Sequence, residues 1–150
     1  MIEMNLECFR DTLPTARAAG VQLMIENLPG HYNTPEELGW FLDRMPELGL
    51  HLDIGHSNLL VPENTCPALC AAYGKRLAHV HLHDNKGGHA DLHLPIGTGH
   101  IEWPKMISAL KRCGYDDTIT LEVFSDDRHY LAYSRDRLKE LWNAPLSELA

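Results

Sequence analysis

Four short β-rich runs in this chain carry ionisable side chains on one face and aliphatic ones on the other. In "LAHVHLHD" (77–84), His79, His81 and His83 fall in phase, with Val80 and Leu82 opposed. In "LHLDIGH" (50–56), His51 and Asp53 oppose Leu50, Leu52 and Ile54. In "VQLMIENL" (21–28), Met24 and Glu26 alternate with Leu23, Ile25 and, less cleanly, Asn27. In "TITLEVF" (118–124), Thr118, Thr120 and Glu122 alternate with Ile119, Leu121 and Val123. Successive side chains of a strand point to opposite faces, so each run can bury only one face under a helix. A doubly wound sheet needs both faces apolar and fits this pattern poorly. A (β/α) barrel accommodates it, because residues near its strand ends converge on a C-terminal mouth where active sites lie.

Between these runs the chain is helical. "NTPEELGWFLDRM" opens with Thr34 as an N-cap, Pro35 at the first helical position and acids in the first turn. "CPALCAAYGKR", "PKMISALKRCG" and "HYLAYSRDRLKELW" supply three more helices. "NLECFRDTLPTARAAG" precedes the first strand as a helix that Pro14 either kinks or divides. Strands alternating with helices imply parallel pairing with right-handed crossovers. The expected architecture is a single domain over 1–150: four parallel strands with flanking helices, of the (β/α) barrel type.

Charge and composition narrow the function. The net charge of −8 argues against a nucleic-acid binder, which normally presents a basic face. No apolar run reaches the ~20 residues of a membrane span, and the N-terminus lacks the apolar core of a signal peptide; a cytoplasmic protein is expected. The four cysteines, Cys8, Cys66, Cys70 and Cys113, are scattered and read as thiols rather than as a disulfide framework. Cys66 and Cys70 share a helix face but have no further ligands near them in sequence, and are read as buried.

Six of the ten histidines lie within residues 79–100, beside Asp84 and Asp91. Glu26, Asp53, His81 and Glu122 occupy comparable positions near four strand ends. Isolated buried charges are costly, so such a convergence is best explained by a cation. A mixed oxygen and nitrogen set without thiolate suits Mn²⁺, Zn²⁺, Co²⁺ or Mg²⁺. His56 follows Asp53 by three, and Asp91 and His93 form a "DLH" pair able to hold a second ion or orient the first set. His51 and His79 are read as packed side chains, and His31, His89, His100 and His129 as ordinary surface residues. Gly97 and Gly99 in "PIGTGH" mark a turn and match no phosphate-loop spacing.

"IENLPG", "HLDIGHSN", "HVHLHDNKGG", "DLHLPIGTGHIEW" and "ITLEVF", in that order, resemble the xylose isomerase-like TIM-barrel superfamily over about Val21 to Phe124. That superfamily includes sugar phosphate isomerases and epimerases and is related to apurinic endonucleases of the same fold. The resemblance implies that Glu26, Asp53, His81 and Glu122 are the metal ligands and that His56 touches substrate or a further metal. It likens Asp91 and His93 to the pair holding an additional zinc in the endonucleases. It also implies an isomerase or epimerase of a small sugar or hydroxy-ketone working through an enediolate, with Glu26 and Glu122 as acid–base groups and His56 at the developing oxyanion. The alternatives are a metal-dependent phosphodiesterase of the endonuclease type and a non-catalytic metal-binding half barrel.

The chain departs from the family pattern in two places. Keto-sugar epimerases carry an arginine shortly after the third-strand histidine. Here the stretch is "HDNKGGH", where Lys86 is the only cation, so His83 and Lys86 are the expected substrate-binding residues. The matching motifs also belong to the last four strands of an eight-stranded barrel of ~250 residues. The expectation is a natural half barrel or a fragment that pairs as a homodimer, or with a separate first half, to cover its open edges.

Overall fold

The computed structural model describes residues 2–149. Its elements run α1 (Ile2–Ala18), β1 (Met24–Glu26), α2 (Pro35–Leu42), β2 (Gly49–Asp53), α3 (Cys66–Tyr73), β3 (Leu77–Leu82), α4 (Trp103–Cys113), β4 (Ile119–Leu121) and α5 (His129–Asn143). Short 3₁₀ turns lie at His56–Asn58, Gly74–Arg76 and Leu146–Glu148. The four strands form one parallel sheet in the order β1-β2-β3-β4. Each is joined to the next through a helix, as the alternation required. The strands are shorter than the sequence runs, because the chain turns into its loops directly after Glu26, Asp53 and Leu82.

Local chemistry explains the helix ends. Glu37 N–H donates to Thr34 Oγ1 at 3.3 Å while Thr34 N–H donates to Glu37 Oε2 at 3.0 Å, a reciprocal cap that starts α2. Gly114, at φ +83°, ends α4 in the left-handed conformation that glycine adopts without strain. Pro14 lies inside α1, which runs through it unbroken. Proline removes one N–H and crowds the carbonyl four residues back; here that carbonyl belongs to exposed Arg10, where water can satisfy it.

The core lies on one side of the sheet. Ile25, Leu50, Leu52, Ile54, Val80 and Leu82 are buried with Leu38, Phe41 and Leu42 of α2, Leu69 of α3 and Met106, Ile107 and Leu110 of α4. Cys66 and Cys70 are buried in this layer with their sulfurs 4.0 Å apart, Cys113 is half-buried and Cys8 is exposed. The opposite face holds the polar residues in register: Glu26 pairs with His51, His51 with His79, Asp53 with His81 and His81 with Thr120. Among the described residues, β1 and β4 are edge strands, and no helix is long and apolar enough to cross a membrane.

Candidate metal centre

Asp53 is the hub of the polar face. It is fully buried at the end of β2, and its carboxylate meets two histidines. His56 N–H donates to Oδ1 at 3.0 Å, and His83 Nε2 lies 3.2 Å from the same oxygen. Oδ2 lies 3.8 Å from His56 Nδ1 but has no hydrogen-bond partner. Two triads of converging donors share this residue, one with Glu26 and His56, the other with His81 and Glu122. Glu26 ends β1 and Glu122 directly follows β4, so the two glutamates approach Asp53 from opposite edges of the sheet at the same, C-terminal, strand ends. Glu122 is held in ladder register by its N–H bond to Leu82 O at 2.9 Å.

A second cluster comprises His56, His83, Asp91 and His93. Two of its imidazoles are fixed by backbone carbonyls: Asn27 O is 3.1 Å from His56 Nδ1, and Glu122 O is 2.9 Å from His93 Nδ1. A carbonyl only accepts, so each Nδ1 carries a proton and each Nε2 points onward. Those Nε2 atoms lie 3.4 and 3.2 Å from Asp91 Oδ2. This is the arrangement that fixes metal-binding histidines, the second ring nitrogen being held by an acceptor. His93 adopts φ +46°, a conformation that costs a non-glycine residue energy and recurs at functional sites. His83 stacks on His93 with ring centres 3.9 Å apart, and Phe124 stacks on His93 at 4.0 Å.

The electrostatics follow from this crowding. Burial works to raise Asp53, but the 3.2 Å approach and charge of His83, with His56, hold its carboxyl down at about 2. Burial works to lower His56, and its hydrogen bond to Glu26 with the charges of Asp53, Glu26 and Asp91 raises it to about 9. Glu26 resists its own burial in the same way, since His56 and His51 keep it below the ordinary carboxylate range. Asp53 raises His83 against its burial. Without a cation, then, protons bridge these carboxylates. A divalent ion fits the same donor set, and two buried atoms without hydrogen-bond partners fit it further: Asp53 Oδ2 and His81 Nδ1.

The structure brings together Glu26, Asp53, His56, His81, Asp91, His93 and Glu122, all singled out from sequence. His83, expected to bind substrate, is fully buried and lies against Asp53; Lys86 is exposed. Sequence reasoning passed over the frame beneath them. Asn27 is fully buried, accepts from Asp53 N–H at 2.7 Å and donates to Asn33, Asp53 O and Ser57. Asp84 is also fully buried, and its carboxylate accepts from the N–H groups of Asn85, Gly97 and Ile101 and from Trp103 Nε1. The signal available was each residue's place just after a strand, where a short polar side chain can satisfy loop backbone.

Residues 2–142 match the family model described as xylose isomerase-like TIM barrel. The chain belongs to that family. A ketose 3-epimerase of Arthrobacter globiformis is 30% identical over 112 residues, which are 73% of this chain and 35% of that protein. The crystal structure of a D-tagatose 3-epimerase-like protein superposes with a TM-score of 0.83 at 29% identity, covering 99% of this chain and 57% of its own. A Thermus thermophilus protein whose crystals were soaked with zinc chloride is 28% identical, with a TM-score of 0.65 over 93% of this chain and 57% of its own. The chain thus spans about half, or less, of the length of these relatives.

Proposed function

We propose that this xylose isomerase-like chain supplies the metal-binding half of a sugar epimerase. In this reading Glu26, Asp53, His81 and Glu122 hold a divalent cation, which supplies Lewis acidity to a carbonyl and its neighbouring hydroxyl. The observation that carries the reading is the placement of Glu26 and Glu122 on either side of the buried Asp53. Inverting a carbon next to a carbonyl requires a proton to leave one face and return to the other, and so needs two acid–base groups facing each other across the substrate. Glu26 lies 3.3 Å from the protonated Nδ1 of His56, which keeps its carboxylate ionised and free to act as a base, and His56 stands ready to donate to a developing oxyanion. The ketose 3-epimerase and D-tagatose 3-epimerase-like relatives support a ketose as substrate. The mouth is acidic, with Glu26, Asp53, Asp91 and Glu122 among its donors, which favours an uncharged sugar over a phosphorylated one.

The unpaired edges β1 and β4 support closure by a second four-stranded half, from another copy or a separate chain. The test is exchange of the C3 hydrogen of a ketohexose with D₂O, followed by NMR, on the Mn²⁺-loaded protein. Exchange that falls at least about a hundredfold in Glu122→Gln, with the fold intact, is the expected result; full exchange in that variant sinks the acid–base role.

The cluster of His56, His83, Asp91 and His93 favours one other reading, phosphodiester cleavage with a metal-activated water. Its mark would be salt-sensitive binding and nicking of abasic DNA by the zinc-loaded protein. The net charge of −8 weighs against it.

A further inference from the structure

One layer below the mouth, three imidazoles converge that neither reading above uses together. His51 of β2 and His79 and His81 of β3 each offer a ring nitrogen, and those nitrogens lie within 4.8 Å of one another. Their ring centres are 4.0 Å apart for His51 and His81, 5.1 Å for His79 and His81 and 5.2 Å for His51 and His79. The parallel register causes this: His51 is the direct neighbour of His79, and His81 follows on the same face.

Three features separate the triad from ordinary packing. His51 Nε2 is buried without a hydrogen-bond partner, and so is His81 Nδ1, which lies 3.0 Å from Glu122 Oε1 but is not aligned for a hydrogen bond. Buried polar atoms in native proteins are nearly always satisfied. The set contains no carboxylate of its own; the nearest carboxylate contact of His51 is Glu26 Oε2 at 3.9 Å from Nδ1. Thr120 Oγ1 at 2.9 Å holds one nitrogen of His79, and Thr118 Oγ1 lies at 3.4 Å from the other. A coordinating nitrogen must shed its hydroxyl contact; the 3.4 Å contact at Nδ1 is the weaker one, and the Thr120 hydroxyl can then accept from the Nε2 proton.

We propose that His51, His79 and His81 form an all-imidazole cation site that selects Cu²⁺ or Zn²⁺ and shares His81 with the carboxylate-rich site above it. Imidazole donors favour these ions, whereas Mn²⁺ and Mg²⁺ favour oxygen. Three nitrogens at about 2.0–2.1 Å from a tetrahedral ion lie about 3.3 Å from one another, a closure reached by small ring rotations. Because His81 serves both sites, filling the lower one withdraws a ligand from the upper. A copper- or zinc-type ion thereby displaces the oxygen-preferring ion. The shared-ligand consequence rests on the proposed upper site; the triad itself does not.

The experiment is a titration of the purified protein with Cu²⁺, followed by electron paramagnetic resonance and native mass spectrometry, with Mn²⁺ binding measured separately. His79→Ala and His51→Ala are each compared with the parent after circular dichroism shows the fold retained. The expected result is loss of one tightly held Cu²⁺, at least about a tenfold drop in its affinity, and loss of a three-nitrogen copper signal in His79→Ala. Mn²⁺ affinity should be unchanged by His79→Ala, and Cu²⁺ should weaken Mn²⁺ binding in the parent but not in that variant. Should His51→Ala fail to fold, the more peripheral His79→Ala still decides the question. Unchanged copper content and affinity in His79→Ala overturn the site. Copper loss in His79→Ala together with no Mn²⁺ binding to the parent upholds the triad and removes the proposed upper site.

Discussion

His56 ties the acidic mouth to pH. Its imidazole titrates at about 9 in the folded chain, above its ordinary value of 6.5. A group raised on folding stabilises the fold fully below its unfolded value and loses that contribution as pH rises through the folded one. The metal-free protein should therefore lose urea resistance between pH 6.5 and about 9, and His56→Asn should flatten that slope. Asp53 acts with the opposite sign: held at about 2 against 3.8, it stabilises above 3.8, and this is lost as pH falls toward 2. A Zn²⁺ ion held by the cluster of His56, His83, Asp91 and His93 must displace the His56 Nε2 proton, so its affinity should rise with pH over the same window as His56, with proton release visible by calorimetry in two buffers. Gly55 makes a separate prediction. Its φ of −65° suits any residue, but a methyl group there would collide with the His83 ring. Gly55→Ala should displace His83 and weaken zinc binding by about tenfold or more, at a stability cost of about 1–3 kcal/mol from overpacking. Zinc titration and urea denaturation would check both, and parent-like zinc affinity would show that His83 has no part in the cluster.

At the scale of elements, single side chains anchor the loops that position these residues. Arg76, after α3, donates to the carbonyls of Leu42, Met45 and Leu48, satisfying the C-terminal end of α2 and its link to β2. Hydrogen bonds to charged groups contribute about 1.5–3 kcal/mol each at most, and the set is not additive. Arg76→Ala should accordingly destabilise by about 2–3 kcal/mol in urea denaturation while leaving cation binding intact. Asp84→Ala should do more, since it strips one carboxylate from three backbone N–H groups and the Trp103 indole. The loop from Asn85 to Ile101 contains Asp91 and His93, so this variant should lose zinc affinity as well as stability. A melting curve and a zinc titration on the same sample would separate the two effects. Lys111 pins the layer from outside, with Nζ donating to Trp142 O at 2.9 Å and Ala144 O at 2.7 Å at the end of α5.

For the whole molecule, one face of the sheet is sealed by helices and the other gathers carboxylates. A cation that binds only the folded state stabilises it by mass action, about 2.7 kcal/mol at roughly a hundredfold excess over its dissociation constant. Chelation should therefore lower the melting temperature, and Mn²⁺ or Zn²⁺ should restore it. The chain spans 57% of the D-tagatose 3-epimerase-like structure, and two copies joined at β1 and β4 would restore an eight-stranded circuit. Native mass spectrometry should then show a dimer with bound divalent ions. A metal-loaded monomer active in hydrogen exchange would show that four strands suffice.

The alternation of His79, Val80, His81 and Leu82 determined by itself that one sheet face is dry and the other ionisable, because side-chain direction along a strand is a local property. Thr34, Pro35 and Glu37 likewise determined the start of α2 within a single turn of chain. The place of Glu26, Asp53, His81 and Glu122 near strand ends was legible for the same reason. Which donors meet was decided only by the tertiary structure. His83 continues the phase of His79 and His81, yet it turns with the chain after Leu82 to hold Asp53 and join Asp91 and His93. His51 and His79 look like packing residues until the register sets their strands side by side, with the whole of α3 lying between them in the chain. Asn27 and Asp84 gave no periodic signal, since their partners lie far along the chain: the Asp53 backbone in β2 for Asn27, and the Gly97 and Ile101 N–H groups for Asp84. Periodicity reports the direction of each side chain, whereas contact depends on strand register and loop path, which are set by the packing of the whole sheet against its helices.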